Sequence, residues 1–557
     1  MHILLVASAF NSLTQRALVE LTELGHSVAV EVTPDENALR AAVARYEPEL
    51  VIAPMLRTAI PPDVFTGRTC LVVHPGPTGD RGPASLDRAI QEGAATWGVT
   101  VLQAEAEMDA GAIWASVGCS VPPVGKSDLY RGEVSDAAME AVLLAVDRVA
   151  SGAYLPRSQT DPAVRPHVRT RPAVTQDERR IDWARDTTGT VLRKLRAADS
   201  RPGVRDELLG APWFLHGGHP EQRLRGGPGQ LLATRAGAVC RATSDGAVWI
   251  PRLRAARSPG GPATFALPAV TALGALLPAL PEVPAQEADE DDWTDIRYRE
   301  QGAAGVLSFS VPGGALSTEV CRRLLTAYRR ACARPTSVLV LGGGRDVFSN
   351  GIDLKTIEAA ADPAAESWAN ITAMNDLVEA VLTTTDRLVV AALGGNAGAG
   401  GVMLALAADE VWCRQGVVLN PHYRLMGLYG SEYWTYSLPQ RVGPGTARRL
   451  TERAMPVGAT EAMRLGLVDR LLMCGPQDFG ADVTRLAARL AGTSAAQARV
   501  AGKKADLERR EAIKPLSAYR DAELARMRAT FSDPRAPYHA LRAAFVRGRT
   551  APGRGAE

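Results

Sequence analysis

The 557-residue chain lacks most of the features that would mark it as secreted, membrane-bound or nucleic-acid-binding. Its seven cysteines are scattered and form no Cys-x-x-Cys pair, so we expect neither a disulfide framework nor a zinc site. Basic and acidic residues number 63 and 61, which gives no general reason for nucleic-acid or membrane binding. No apolar run is long enough to span a bilayer, and the N-terminus enters a predicted strand without a basic leader. These absences predict a cytoplasmic protein with no bound metal.

The length and the pattern of the chain predict an α/β multidomain protein. Residues 1–165 alternate buried strands with helices, as in a Rossmann-like, doubly wound domain, but the first loop has no Gly-x-Gly-x-x-Gly. A dinucleotide is therefore not the expected ligand. A small β-rich, barrel-like domain is predicted over 166–275 and a Pro-rich, acidic linker over 276–292. A third domain with a helical tail fills 293–557.

A histidine ends one of the predicted parallel strands, in the segment 74–83 that reads HPGPTGDRGP. Ligands of open α/β sheets bind at that end of the strands. Asp109 lies in a Met-Asp-Ala-Gly loop after another predicted strand, so we expect it to meet His74 at the same edge. A carboxylate beside a histidine orients the ring and raises its basicity, which suits proton transfer near neutral pH.

Residues 1–270 resemble the formyltetrahydrofolate-using transferases, such as methionyl-tRNA formyltransferase. The family patterns Asn-x-His-Pro…Arg-Gly and Asp-x-Gly are answered here around His74 and Asp109. The resemblance implies 10-formyltetrahydrofolate as formyl donor, with Arg81 and Gly82 in its binding site. The family's catalytic asparagine falls on Val72, which cannot donate a hydrogen bond. Either a backbone N–H or Ser85 replaces it, or the acceptor chemistry differs, or His74 is a structural residue of an inactive fold.

Two glycine-containing segments stand in the C-terminal half: 348–354 reads FSNGIDL and 394–401 reads GGNAGAGG. Glycine lets a backbone approach a ligand closely, and a helix opening at Gly401 aims its N-terminus at developing negative charge. The segments are also compatible with two tight turns. The order of strand, FSNGIDL, glycine run and helix favours a site that polarises a thioester carbonyl through backbone N–H groups.

That order resembles the enoyl-CoA hydratase/isomerase (crotonase) family over residues 293–510. The resemblance implies a coenzyme A thioester as ligand and an oxyanion hole formed by the backbone N–H groups of Ile352 and Gly400. It also implies that the coenzyme is held by four further residues, namely Gly351, Asp353, Lys503 and Lys504.

Neither acid of a hydratase is present in this half. Met403 stands where hydratases carry the first glutamate, and the second falls near His422 and Tyr423, so we do not expect water addition to a double bond. Instead residues 420–434 are rich in aromatic and polar side chains, although only 5% of the chain is aromatic. This cluster is either a packed surface or a replacement acid/base set. In the second case we expect Glu432 as base and Tyr423 as acid or orienting group, with three alternatives: His422, Tyr429 and Tyr433.

The two halves in this order resemble a family of nickel–iron hydrogenase maturation proteins. The resemblance implies formyl transfer from 10-formyltetrahydrofolate to coenzyme A, followed by decarbonylation of formyl-CoA to CO and coenzyme A. The CO would become a ligand of the hydrogenase centre, and hydrogenase maturation proteins would be partners. Formyl-CoA synthesis or hydrolysis giving formate, and an inactive maturation scaffold, stay open as alternatives.

Overall fold

The computed structural model describes residues 1–33, 35–286 and 291–548. The chain folds into two compact units. Unit 1 comprises Met1–Thr234, Ala238–Leu253 and Ala275–Pro281; unit 2 comprises Arg235–Gly237, Arg254–Gly274 and Glu282–Glu557. Most of the predicted acidic run, residues 287–290, lies outside the described residues. No helix in the described ranges is long and apolar enough to cross a membrane.

Unit 1 begins with the elements of the α/β sheet and continues into short antiparallel strands. Its strands are β1 His2–Ala7, β2 Ser27–Val32, β3 Leu50–Met55, β4 Thr69–His74, β5 Asp80–Arg81, β6 Thr96–Gln103, β7 Ile113–Ser120, β8 Arg169–Thr170, β9 Val204–Leu208, β10 Ala211–His216, β11 His219–Glu221, β12 Leu231–Arg235, β13 Ala238–Ala242, β14 Ala247–Ile250 and β15 Arg252–Ala255. Its helices are α1 Ser12–Glu23, α2 Glu36–Tyr46, α3 Pro62–Phe65, α4 Ser85–Gln91, α5 Lys126–Arg131, α6 Glu133–Ser151, α7 Gln176–Arg179 and α8 Thr188–Ala197.

The main sheet of unit 1 has the order β2-β1-β3-β4-β6-β7. Strand β1 is buried from its second residue onward, as a strand covered on both faces must be. Strands β1 to β4 are parallel, which confirms the α/β expectation, but β6 runs antiparallel to β4, with His74 opposite Thr100. The chain between them stays at the carboxyl end of β4 and does not cross back, so the sheet is mixed.

The barrel-like expectation for the following strands is wrong in one respect. Strands β15, β10 and β9 lie side by side in one sheet, and β11-β14-β13-β12 form another. Within the described residues the two sheets keep their edges and close no barrel. Short β-strands with glycine turns predict a β-rich domain, but closure depends on whether the edge strands pair, which the strand pattern does not record.

Unit 2 combines a parallel sheet with a long helical tail. Its strands are β16 Leu267–Pro268, β17 Ile296–Gln301, β18 Ala304–Phe309, β19 Val338–Gly342, β20 Val347–Ser349, β21 Leu388–Leu393, β22 Asn396–Gly398, β23 Glu410–Arg414, β24 Val418–Asn420, β25 Val457–Gly458 and β26 Arg470–Leu472. Its helices are α9 Ala269–Leu273, α10 Thr318–Cys332, α11 Leu354–Ala359, α12 Pro363–Leu382, α13 Gly400–Leu406, α14 Trp434–Val442, α15 Pro444–Arg453, α16 Ala459–Leu465, α17 Phe479–Ala491, α18 Ser494–Ile513, α19 Leu516–Ser532 and α20 Pro537–Arg547.

The larger sheet of unit 2 has the order β17-β18-β19-β21-β23-β26, and all its pairs are parallel except β17 with β18. Strand β21 is buried throughout, and the glycine run follows its carboxyl end. A smaller sheet, β20-β22-β24-β25, continues from the carboxyl ends of β19, β21 and β23. The FSNGIDL segment and the glycine run therefore lie at the same edge, where ligands of parallel sheets bind.

Candidate active sites

His74 ends β4 and lies between two carboxylates. Its Nε2 is 3.0 Å from Asp80 Oδ2, within hydrogen-bond reach, and its Nδ1 is 3.5 Å from Asp109 Oδ1. The ring is buried, with 4% of the residue exposed. The structure thus brings together the predicted pair and adds Asp80, which lies inside the HPGPTGDRGP segment but was not predicted as a functional residue.

Asp80 is a buried, ionised partner of the ring. Burial by itself raises the pKa of this carboxyl, but hydrogen bonds from His74 and from Arg171, at 2.6 Å, outweigh it and lower the pKa to about 2. An ionised Asp80 accepts, so His74 Nε2 carries the hydrogen and Nδ1 is the nitrogen left for proton exchange. Gly76 leaves the space for this pair, because a Cβ there would overlap His74 Nε2 and stand 2.5 Å from Asp80 Oδ2.

Asp109 is held by the two residues expected to bind folate. Gly82 N donates to Asp109 Oδ2 at 3.0 Å, and Arg81 Nε donates to Gln159 Oε1 at 3.0 Å. Gln159 Nε2 in turn donates to the Asp109 carbonyl at 2.8 Å. Asp109 has a φ of +56°, so these bonds fix it in a conformation that non-glycine residues rarely adopt. Strand β6 is antiparallel to β4 and ends opposite Leu71, toward the amino end of β4, so the loop after it has to fold back to bring Asp109 to His74. We had expected both residues to follow parallel strands.

Of the two expected replacements for the missing asparagine, the side chain of Ser85 is already engaged. Its hydroxyl donates to the Pro75 carbonyl at 2.8 Å and accepts from Trp97 Nε1 at 3.1 Å. Val72 lies within β4, opposite Ala53 and Leu102 of the neighbouring strands. Of the two expected replacements, a backbone N–H is therefore the one that is left.

In unit 2 the FSNGIDL loop closes on the start of α13. Gly351 has a φ of +76°, and a Cβ on it would stand 3.0 Å from Gly400 N. Gly400 is the first residue of α13, where a backbone N–H has no partner within its own helix. Ile352 forms an isolated parallel bridge with Leu316, which fixes the loop. Gly351, the residue before Ile352, thus lies against Gly400, as an oxyanion hole formed by the amides of Ile352 and Gly400 would require.

Glu432 lies directly against this glycine. A Cβ on Gly400 would stand 2.5 Å from Glu432 Oε1. Tyr423 Oη donates to Glu432 Oε2 at 2.8 Å, and Ser431 N donates to the same oxygen at 3.1 Å. The carboxyl is 1% exposed, and burial raises its pKa to about 7. A buried carboxyl that exchanges its proton near neutrality, beside an oxyanion hole, can act as a base.

The other members of the aromatic cluster are arranged around the Tyr423–Glu432 pair. His422 Nδ1 is 2.7 Å from the Asn420 carbonyl, and burial lowers the pKa of the ring. Tyr429 packs against Trp434 with ring centroids 5.3 Å apart, and the Arg526 guanidinium lies over its face. Met403, on α13, is fully buried in the core. The position of the hydratase glutamate is thus taken by an apolar side chain.

The expected coenzyme A ligands are only partly gathered at the site. Asp353 caps α11 by accepting from the backbone N–H groups of Lys355 and Thr356. Lys503 lies apart from the glycine run: its ammonium pairs with Asp409 at 2.6 Å and with the Arg387 carbonyl, at the amino end of β21. Lys504 is exposed and 4.0 Å from Glu508. Neither lysine is thus brought to Glu432.

The fold and the two sites define a multidomain α/β protein that joins a formyl transferase to an enoyl-CoA hydratase/isomerase unit. Family models agree: "Formyl transferase" matches residues 18–146, "Formyl transferase, C-terminal domain" 173–264 and "Enoyl-CoA hydratase/isomerase" 301–540. Hydrogenase maturation factor HoxX of Bradyrhizobium diazoefficiens is 46% identical over 98% of this chain and 94% of its own length. The chain therefore belongs to the HypX/HoxX family of hydrogenase maturation factors.

Other relatives match one half or the whole fold. Methionyl-tRNA formyltransferase of Stutzerimonas stutzeri is 30% identical over 32% of this chain and 55% of its own length. A probable enoyl-CoA hydratase of Rhodobacter capsulatus is 32% identical over 31% of this chain and 66% of its own. The crystal structure of HypX from Aquifex aeolicus in complex with tetrahydrofolic acid superposes with a TM-score of 0.94 and 40% identity, covering 98% of this chain and 96% of that one.

Proposed function

We propose that this protein makes carbon monoxide for the maturation of a nickel–iron hydrogenase, in two steps that share formyl-CoA. The observation that carries the proposal is the close approach of the buried Glu432 carboxyl to Gly400, at a site that has neither hydratase acid. The family membership supports the biological role, and the tetrahydrofolic acid bound by the Aquifex aeolicus relative supports a folate substrate. The proposed location is the cytoplasm, and the proposed partners are hydrogenase maturation proteins.

In the first step the thiol of coenzyme A attacks the formyl carbon of 10-formyltetrahydrofolate. The carbon–sulfur bond forms, the carbon–nitrogen bond breaks, and tetrahydrofolate leaves with a proton on nitrogen. His74 Nδ1 takes the thiol proton and returns it to the leaving nitrogen, while Asp80 holds Nε2. Asp109 Oδ1, 3.5 Å from Nδ1, needs to move less than about 1 Å to accept a hydrogen bond from the protonated ring.

In the second step formyl-CoA is decomposed at unit 2. Its carbonyl oxygen accepts from the amides of Ile352 and Gly400, and Glu432 removes the proton from the formyl carbon. The carbon–sulfur bond breaks, CO leaves, and the thiolate of coenzyme A receives the proton back. Because Met403 replaces the glutamate that would position a water, hydrolysis to formate is suppressed. Tyr423 orients Glu432 through the 2.8 Å hydrogen bond.

Purified protein given 10-formyltetrahydrofolate and coenzyme A tests the scheme. We expect CO, measured by its binding to ferrous haem, and we expect Glu432→Gln to accumulate formyl-CoA instead. A His74→Ala variant should release no tetrahydrofolate but should still make CO from added formyl-CoA. Formate as the sole one-carbon product would replace the proposal by a hydrolase, and absence of any turnover would favour the inactive scaffold.

A further inference from the structure

A second buried glutamate, Glu523 on α19, contacts the segment that carries Glu432. One of its oxygens accepts from Tyr433 N at 2.9 Å, and the other accepts from Thr435 N at 2.8 Å and from Thr435 Oγ1 at 2.5 Å. The residue is 1% exposed. Helix α14 begins at Trp434, and its cap residue, Tyr433, provides no side-chain cap of its own. The Glu523 carboxylate therefore caps α14 from a different helix.

The capped turn is strained and holds Glu432. Glu432 and Tyr433 have φ values of +61° and +60°, in the left-handed region that non-glycine residues rarely adopt. The conformation persists because both amides have side-chain acceptors: Glu432 N donates to Asn375 Oδ1 at 3.2 Å, and Tyr433 N donates to Glu523. Without these acceptors, the chain can relax to an unstrained turn that withdraws the Glu432 side chain from Gly400.

We propose that Glu523 is a positioning residue for Glu432: by capping α14 it fixes the left-handed turn that aims the base at Gly400. The inference rests on the proposed function, in which Glu432 is the base. Glu523 acts through backbone amides, and its role differs from that of Tyr423, which contacts the Glu432 carboxyl directly.

The charge of Glu523 gives this role a measurable signature. The titratable groups facing Glu432 are Tyr423, Glu523 and Cys321, and burial is the main reason that the pKa of Glu432 is raised. Glu523, when ionised, raises that pKa further, and burial raises the pKa of Glu523 itself to about 7. A neutral side chain at position 523 should therefore let Glu432 ionise at lower pH, whereas a purely structural residue would lower the rate equally at every pH.

The experiment compares full-length wild type, Glu523→Gln and Glu523→Ala with formyl-CoA as the substrate. The control is Glu410→Gln. Glu410 lies on β23 of the same unit, and its half-buried carboxylate pairs with Arg499 on α18. We expect Glu523→Gln to lower kcat about ten- to a hundredfold with little change in KM, and to move the acid limb of the kcat profile to lower pH. Glu523→Ala should lower kcat more and speed hydrogen exchange at the amides of residues 433 and 435. The control should change none of these.

Two further measurements separate this inference from the proposed function. Difference infrared titration, with Glu432→Gln as the blank, reports ionisation of the Glu432 carboxyl whether or not CO is made. If wild type makes no CO, the proposed function fails, yet a lower titration midpoint and faster exchange in the Glu523 variants still support the positioning role. An unchanged midpoint and unchanged exchange in a folded Glu523→Gln protein overturn it, as does a loss of kcat with no shift of the acid limb.

Discussion

Replacing Gly400 by alanine should stop formyl-CoA decomposition without unfolding the protein. The backbone tolerates the change, because Gly400 opens α13 and does not have a positive φ, and alanine is the better helix former by up to about 1 kcal/mol. The new methyl, however, would stand 2.5 Å from Glu432 Oε1 and 2.8 Å from its Cδ, whereas ordinary contact begins at 3.4 Å. The carboxylate must therefore retreat by about 1 Å.

A displacement of about 1 Å at a reacting group costs about a hundredfold in rate, equivalent to about 2.7 kcal/mol of transition-state stabilisation. The assay supplies formyl-CoA directly and follows CO by haem absorbance, with thermal unfolding measured in parallel. Gly502→Ala is the matched control, because it also adds a methyl to a helix of unit 2 but meets nothing within 4 Å. A Gly400→Ala protein that keeps its rate within about threefold of wild type would refute the placement of Glu432 against the oxyanion hole.

Three further outcomes are expected. Gly76→Ala should lower tetrahydrofolate release about a hundredfold, because its methyl overlaps His74 Nε2, while added formyl-CoA is still decomposed; equal loss of both activities would contradict separate sites. The pKa of Asp80, about 2, lies below its unfolded value of 3.8, so its stabilisation is complete above about pH 4 and is lost as pH falls toward 2. Urea unfolding at stepped pH measures this: between about pH 4 and 2 the free energy of unfolding of Asp80→Asn should fall by up to about 2 kcal/mol less than that of wild type. An identical dependence of that free energy on pH in both proteins would count against an ionised Asp80. Because the pKa of Glu432 is about 7, kcat for formyl-CoA should rise with pH through about 7, and a flat profile between about pH 6 and 8 would argue against Glu432 as base.

Local motifs at strand ends allowed much of both sites to be predicted. The FSNGIDL loop lies against Gly400 as expected, because segments that follow the neighbouring parallel strands β20 and β22 share an edge. His74 and Asp109 also meet, but not for the expected reason, because β4 and β6 are antiparallel. Asp80 stands in the same loop as His74, but the sequence does not show which ring nitrogen it contacts. The contact of Glu523 with the start of α14 could not be predicted, because its partners are about 90 residues away along the chain. A glutamate on a helix is also usually exposed to solvent.

The mixed direction of the first sheet could not be predicted either, because it depends on how the chain travels between strands. A helix after β4 is compatible with a crossover to a parallel strand, but α4 lies in a connection that leaves the chain at the carboxyl end of β4. Lys503 shows the same limit on the scale of one side chain. A lysine on a C-terminal helix can form an ion pair with a phosphate or with an aspartate, and the sequence does not distinguish the two. In the structure α18 packs against β21, and Lys503 pairs with Asp409.

The short pairing of β5 with β8 decides where this protein can be divided. Asp80 lies opposite Arg169 and Arg81 opposite Thr170, and the neighbouring Arg171 guanidinium binds Asp80. A fragment ending at the predicted boundary, residue 165, would keep every strand of the first sheet yet lose Arg171, the arginine partner of Asp80. Chimeras and truncations that exchange the formyl transferase part should therefore be joined after residue 171, so that the loop carrying His74 and Asp80 stays with the segment that pairs with it.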